Sequence, residues 1–219
     1  QADDEPTVVN AADAIARLST PLNKEEQTAL LQALQGPDNQ RRAVLQAFCR
    51  LGMNDASGQI DHCRNDSNPL VAGAAHAYAV RVLGDQQGLH PLVEQLRDDN
   101  PGRRRAAVID LGDAGRIEAL AALIRCPVSM PLRAKSAFQM ATSQAGAIDP
   151  DATDLLKALL QDDPRQLNLD GIPETAADPE AIKEGLQHRD EARQYAAAKA
   201  LMAMPRAAQL DQIDALRSS

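Results

Sequence analysis

Asp110 stands in a stretch, AAVIDLGDA (106–114), that otherwise reads as one continuous aliphatic helix. A carboxylate in such a place must be paired or put to chemical use, because moving it unpaired out of water is costly. Three consecutive arginines, Arg103, Arg104 and Arg105, open the same helix, and Arg133 opens the next one. Guanidinium groups so placed can grip a carboxylate through two parallel hydrogen bonds. The plainer alternative is that they pair with acids of the neighbouring turn or repeat, here Asp98, Asp99 or Asp113, as stacked helix pairs commonly do. Tyr78 offers a phenol on an adjacent helix, or simply a ring at the edge of the core.

The thiols and imidazoles suggest less. Cys49 shares an apolar stripe with Val44, Leu45, Phe48 and Leu51 and is expected in the core, whereas Cys126, before Pro127 at a helix end, is expected to be exposed. His62 and Cys63 are neighbours in sequence, so on a helix they diverge by about 100°. No further Cys or His lies at ligand spacing, and no metal site is expected. His76, His90 and His188 are scattered, and the His–Glu pairs that a di-iron hydroxylase needs are absent.

Composition narrows the classes that remain. The chain has 219 residues, 44% of them apolar and dominated by Ala and Leu, but only 2% aromatic. Cores with so few rings come from closely packed helices, since Ala lets backbones approach and is the strongest helix former. The formal charge is −8. That repels a phosphate backbone, and the scarcity of aromatics, with no Trp, removes stacking platforms, so nucleic acid is not an expected partner. It also argues against a relative of the helical-repeat alkylpurine glycosylases. Three cysteines without CxxC spacing point to free thiols in a reducing compartment. No apolar run approaches the roughly 20 residues that span a bilayer, and the start, QADDEPTVV, is acidic where a signal peptide would be basic. A cytoplasmic location without membrane contact is the expectation. The chain lacks an initiator Met, so a stretch at the front is expected to be missing.

The elements that must hold these residues recur. LLQALQGPDNQRRAVLQAFCRLG (30–52), IDHCRNDSNPLVAGAAHAYAVRVLGD (60–85) and LVEQLRDDNPGRRRAAVIDLGD (92–113) each run from an amphipathic helix through a polar break to an Ala-rich second helix ending at Leu-Gly. Asn68-Pro69 and Asn100-Pro101 stop one helix and start the next, since proline has no N–H to donate and fits a first turn. Gly52, Gly84 and Gly112 are expected to close the second helices in a left-handed conformation, with the following helix opening after Asp85 or Asp113. Weaker copies follow at 126–141 and 186–205, and 161–178 carries prolines and no sustained helical period, which predicts an irregular loop. At the front, 7–35 reads as two helices, the second opening with Asn23 and Glu26 at capping-box spacing. The expected fold is all-α, one α-α superhelix over 1–219 built of HEAT-like repeats at roughly 7–35, 30–58, 60–88, 92–115, 117–146 and 151–205. From the opening Pro to the closing Leu there are fourteen residues in the second copy and ten in the third. That predicts an inner helix one turn short and a notch beside it, with Tyr78 and Asp110 at equivalent places on adjacent second helices.

The D-N-P break, the R-x-A-A that follows and the L-G-D with a following I-E-A-L are those of HEAT-like repeats. Within that group LGDAGRIEALAALIRCPVSMPLRAKSAFQMA, LLQDDPRQLNLDG and HRDEARQYAAAKAL, about 60 residues together, resemble the E/F-type phycobilin lyases of cyanobacteria and red algae. The resemblance implies a protein that takes a phycobilin, a linear tetrapyrrole, as substrate, with no tightly bound cofactor. It would hold that pigment against an alpha or beta phycobiliprotein subunit while a client cysteine adds to ring A in carbon–sulfur bond formation. Relatives of that kind also isomerise or detach bilins, pair with a second lyase subunit, or act as chaperones. A bilin carries two propionates, pyrrole N–H groups and an apolar body, so the resemblance casts Arg103, Arg104, Arg105 and Arg133 as propionate ligands and Asp110 and Tyr78 as the groups near the chemistry. The alternative is a non-catalytic adaptor gripping a helical client.

Overall fold

Two asparagines show how the chain punctuates itself. Asn68 and Asn100 each accept backbone N–H bonds from the turn that follows, and Pro69 and Pro101 occupy the first helical positions, where no N–H is missed. Asn23 and Glu26 close the expected capping box, Glu26 reaching back 2.8 Å to the Asn23 N–H. In the computed structural model, which describes residues 5–18, 22–54, 58–143 and 150–217, such breaks separate thirteen α-helices, and no strand occurs among the described residues.

In chain order these are α1 (Glu5–Leu18), α2 (Lys24–Gln32), α3 (Asp38–Leu51), α4 (Gln59–His62), α5 (Pro69–Tyr78), α6 (Leu89–Gln95) and α7 (Pro101–Ala114), followed by α8 (Leu120–Ile124), α9 (Met130–Thr142), α10 (Pro150–Gln161), α11 (Pro179–Leu186), α12 (Glu191–Ala203) and α13 (Arg206–Arg217). The longer helices stack as rungs, α1 on α3, α3 on α5, α5 on α7 and α7 on α9. A second layer is formed by α6 against α5 and α7, and by α8 and α10 against α9. This is the connectivity of an α-solenoid. Between the layers runs one continuous core, in which Leu45, Phe48, Tyr78, Leu111, Leu123 and Met140 are buried. Each short helix hides an apolar face it could not bury alone, which is how such repeats hold one another.

The second helices end as expected in two places and differently in a third. Gly52 and Gly84 adopt φ of 65° and 71° and close their helices in the left-handed region. Gly112 does not close α7, which runs on through Asp113 to Ala114 and is capped by Gly115 at φ 68°. Asp113 therefore opens no helix; it is buried on α7, whereas Asp85 caps the short turn at Gln86–Gly88. The expected one-turn deficit disappears with this correction. Both α3 and α7 have fourteen residues, and α5 is prolonged by a five-residue π turn, Ala79–Leu83. From its opening Pro the helix of the second copy is thus one residue longer than α7 rather than a full turn longer, so the shortening from which a notch was expected does not occur.

Gly112 has another purpose. A Cβ there would lie 2.8 Å from Ser136 Cβ and 2.9 Å from Ser136 Cα, so its absence sets how closely α7 and α9 approach. The 161–178 segment is irregular as expected: Asp162 turns the chain at a positive φ of 48°, one short turn follows at Pro164–Gln166, and helix resumes at α11. Gly112→Ala should lower stability by about 1–3 kcal/mol through this overlap, even though Ala gains up to about 1 kcal/mol in helix propensity. A urea midpoint equal to or above wild type would show that the α7–α9 spacing is not set there.

Candidate functional site

Asp110 is fully buried on α7, and its partner lies two rungs away. Arg42, on α3, donates Nη1 to Oδ2 at 3.0 Å and Nη2 to Oδ1 at 2.7 Å, a two-pronged pair that crosses the face of α5. Gly73 of α5 makes the crossing feasible, for a Cβ on it would sit 2.8 Å from Asp110 Oδ2. Burial pushes the Asp110 carboxyl above its ordinary range, and the Arg42 guanidinium pulls it back. Asp113, one turn on, is served by Arg50 Nε at 2.9 Å and Gln139 Nε2 at 3.4 Å, while its backbone carbonyl accepts from Arg81 at 3.0 Å. Arg42 and Arg50 were not singled out in the sequence. Their stripe on α3 also carries Asn39 and Gln46, so neither arginine stood out as a charge on an apolar face.

The other expected site residues are dispersed rather than brought together. Tyr78 is 1% exposed and packs in the core, so its ring is the core element rather than part of an open wall. Arg103 reaches Asp98 at 3.4 Å, close to the plainer expectation. Arg104 is buried, donates to the carbonyls of Asp98 and Asp99 at 2.8 and 3.1 Å, and pairs with Asp190 at the cap of α12. Arg105 pairs with Glu191 at 3.0 Å. Arg133 is 1% exposed and holds the carbonyls of Val128 and Ile124 at 2.9 and 2.7 Å, the Asp162 carboxylate, and the Tyr195 hydroxyl oxygen at 3.0 Å. Tyr195 in turn donates to Asp162 at 2.9 Å. The buried Arg104 and Arg133 thus act as clasps that fasten α12 and the 162–178 segment to the ladder.

Cys126 does not lie at the surface. It is 2% exposed with Sγ 3.6 Å from the Leu96 carbonyl oxygen, because the chain after α8 folds back under α6, and burial pushes its thiol up to about 12. Cys49 is buried as expected, and burial likewise pushes its thiol far up. Neither supplies thiolate near neutral pH. Among the described residues no group of three or more His, Cys, Asp or Glu could hold a metal ion, and no helix is long and apolar enough to cross a membrane.

Open space lies in the second layer. A cleft of about 700 Å³ runs between α6, α8 and α10 and is walled on its far side by residues 162–170. It exists because α8 is only five residues long and contributes Ala121 and Ala122, and α10 faces it with Ala158. The wall is fixed by the Asn168 N–H, which donates to the Arg125 carbonyl at the end of α8 at 2.7 Å, and by the Arg133–Asp162–Tyr195 clasp. Leu96, Ile124, Leu159 and Leu167 form its floor, and Arg97, Arg125 and Arg165 stand at its rim.

Comparison with known proteins gives two relatives. The chain is 26% identical over 198 residues, 89% of its length, to a protein of Pseudanabaena tenuis named as an uncharacterized phycocyanin operon protein Y. It is 30% identical over 116 residues, 52% of its length, to the bilin biosynthesis protein RpcE of a Synechococcus strain. The chain spans about half the length of these relatives, 47% and 44% respectively. No protein-family model matches it.

The Arg42–Asp110 pair makes a quantitative expectation. Asp110→Ala strands a guanidinium that is only 14% exposed and should cost about 3–5 kcal/mol. The double variant Arg42→Met/Asp110→Leu should recover most of that loss, as apolar replacements of buried pairs commonly do. Urea denaturation of both variants checks it, and a single-variant loss under about 1 kcal/mol would show that the pair carries little.

Proposed function

We propose that this chain handles a phycobilin, a linear tetrapyrrole, and assists its attachment to a cysteine of an alpha or beta phycobiliprotein subunit, as a lyase or a lyase subunit. The observation that carries this reading is the extent of the similarity to the phycocyanin operon protein, 198 residues or 89% of the chain rather than one repeat. The shorter match to a bilin biosynthesis protein supports the same direction. HEAT-like repeats would supply the scaffold, and a second lyase subunit would be a partner beside the phycobiliprotein.

The chemistry asks little of the protein's own nucleophiles. The client thiol adds across a ring A double bond: sulfur bonds to one carbon, the thiol proton ends on the other, and nothing is oxidised or reduced. What the chain would contribute is the alignment of two reactants and the exclusion of water. That fits a molecule whose cysteines Cys49 and Cys126 are buried and whose inner carboxylates Asp110 and Asp113 are clamped by arginines. The same clamping favours a second reading, a chaperone that holds the bilin or the client subunit without accelerating the addition.

Co-expression with a bilin-producing pathway and single phycobiliprotein subunits tests both. A coloured client band that survives denaturation and depends on this chain is the expected result, and it should persist in Cys126→Ala. Colour that forms equally fast and with the same absorbance without the chain rejects the lyase; greater client yield at an unchanged attachment rate selects the chaperone.

A further inference from the structure

The charges around the second-layer cleft are not distributed like those of the rest of the chain. Its lining carries four guanidinium groups against three carboxylates, on a molecule of formal charge −8. Arg133 and Asp162 neutralise one another at the bottom. At the rim Arg125 is exposed and has no acidic partner among the described residues. Among the described residues Arg97, 66% exposed, has only Glu94 at 4.0 Å, whereas Arg165 is held by Asp163 through Nε at 2.9 Å and Nη2 at 2.6 Å. An exposed, loosely held pair such as Arg97–Glu94 is worth under about 1 kcal/mol, so Arg97 and Arg125 can turn to a new anion at little cost.

We propose that this cleft is the seat of the tetrapyrrole, with Arg97 and Arg125 gripping its two carboxylate side chains. This rests on the functional reading above and adds the place and the polarity of binding. The volume of about 700 Å³ is in the range that receives an extended small molecule. The floor of Leu96, Ile124 and Leu159 would take the conjugated body, and the exposed Asp170 carboxylate at the edge would accept from pyrrole N–H groups. The inner ladder, where the sequence pointed, has its arginines already consumed by Asp110, Asp113, Asp190 and Glu191.

Titration with biliverdin and with its dimethyl ester, followed by induced visible circular dichroism, tests the site. The wild-type chain should bind the diacid at least tenfold more tightly than the ester. Arg97→Glu/Arg125→Glu should weaken the diacid tenfold or more and leave the ester within twofold. Ala158→Trp, which fills the cleft, should abolish both. Far-UV circular dichroism equal to wild type shows the fold retained, since all three positions are partly or fully exposed. Unchanged diacid affinity in both variants, or no binding of biliverdin to the wild type, overturns the proposal. If attachment in the co-expression assay still depends on the chain, only the site has failed; if that dependence is lost as well, the functional reading fails with it.

Discussion

A carboxylate sealed from water stays ionised only where a cation has been sealed in with it, and the middle of this molecule is arranged around that condition. Asp110 on α7 and Arg42 on α3 meet across α5, and their meeting requires Gly73 on the rung between them. Three rungs are thereby fixed in one register. Apolar packing alone would let stacked Ala-rich helices slide by a turn at little cost, because small side chains offer shallow ridges. A two-pronged ion pair has one geometry, and a slip of one turn would leave both charges stranded. Asp113 with Arg50 and Gln139 repeats the device further along, and Gly112 against Ser136 sets the approach of the next rung.

The same residue type fastens the irregular end. Arg104 and Arg133 are buried guanidinium groups, each saturating backbone carbonyls of the ladder with one edge and a distant carboxylate with the other. Where 161–178 interrupts the helical layers, these clasps replace the apolar stacking that a full repeat would provide. The interrupting segment walls the room that the short α8 leaves beside α6 and α10, while Gly73 and Gly112 keep the inner ladder tight.

What the sequence disclosed was local. Asn23, Asn68, Asn100, Gly52 and Gly84 declare helix ends through hydrogen bonds made within a few residues, and these read correctly. Gly112 misled because a glycine serving a close helix approach looks, in sequence, like a glycine serving a cap. The second-layer cleft and the partners of Arg104 and Arg105 stayed hidden for another reason. Their acids lie 86 residues further on, and no periodicity reports a contact at that separation. Asp110 was found as a charge out of place, but periodicity alone did not show that its complement was Arg42, 68 residues before it.

The π turn at Ala79–Leu83 has a wider meaning. One added residue in a helix rotates everything beyond it by about 100°, enough to swing Arg81 away from the Asp113 carbonyl it holds. A widened turn at the helix end takes up that residue, and Gly84 closes the helix with Arg81 still on the Asp113 carbonyl. Length is thus added at the closing end of a rung, where the contact that Arg81 makes across rungs is kept.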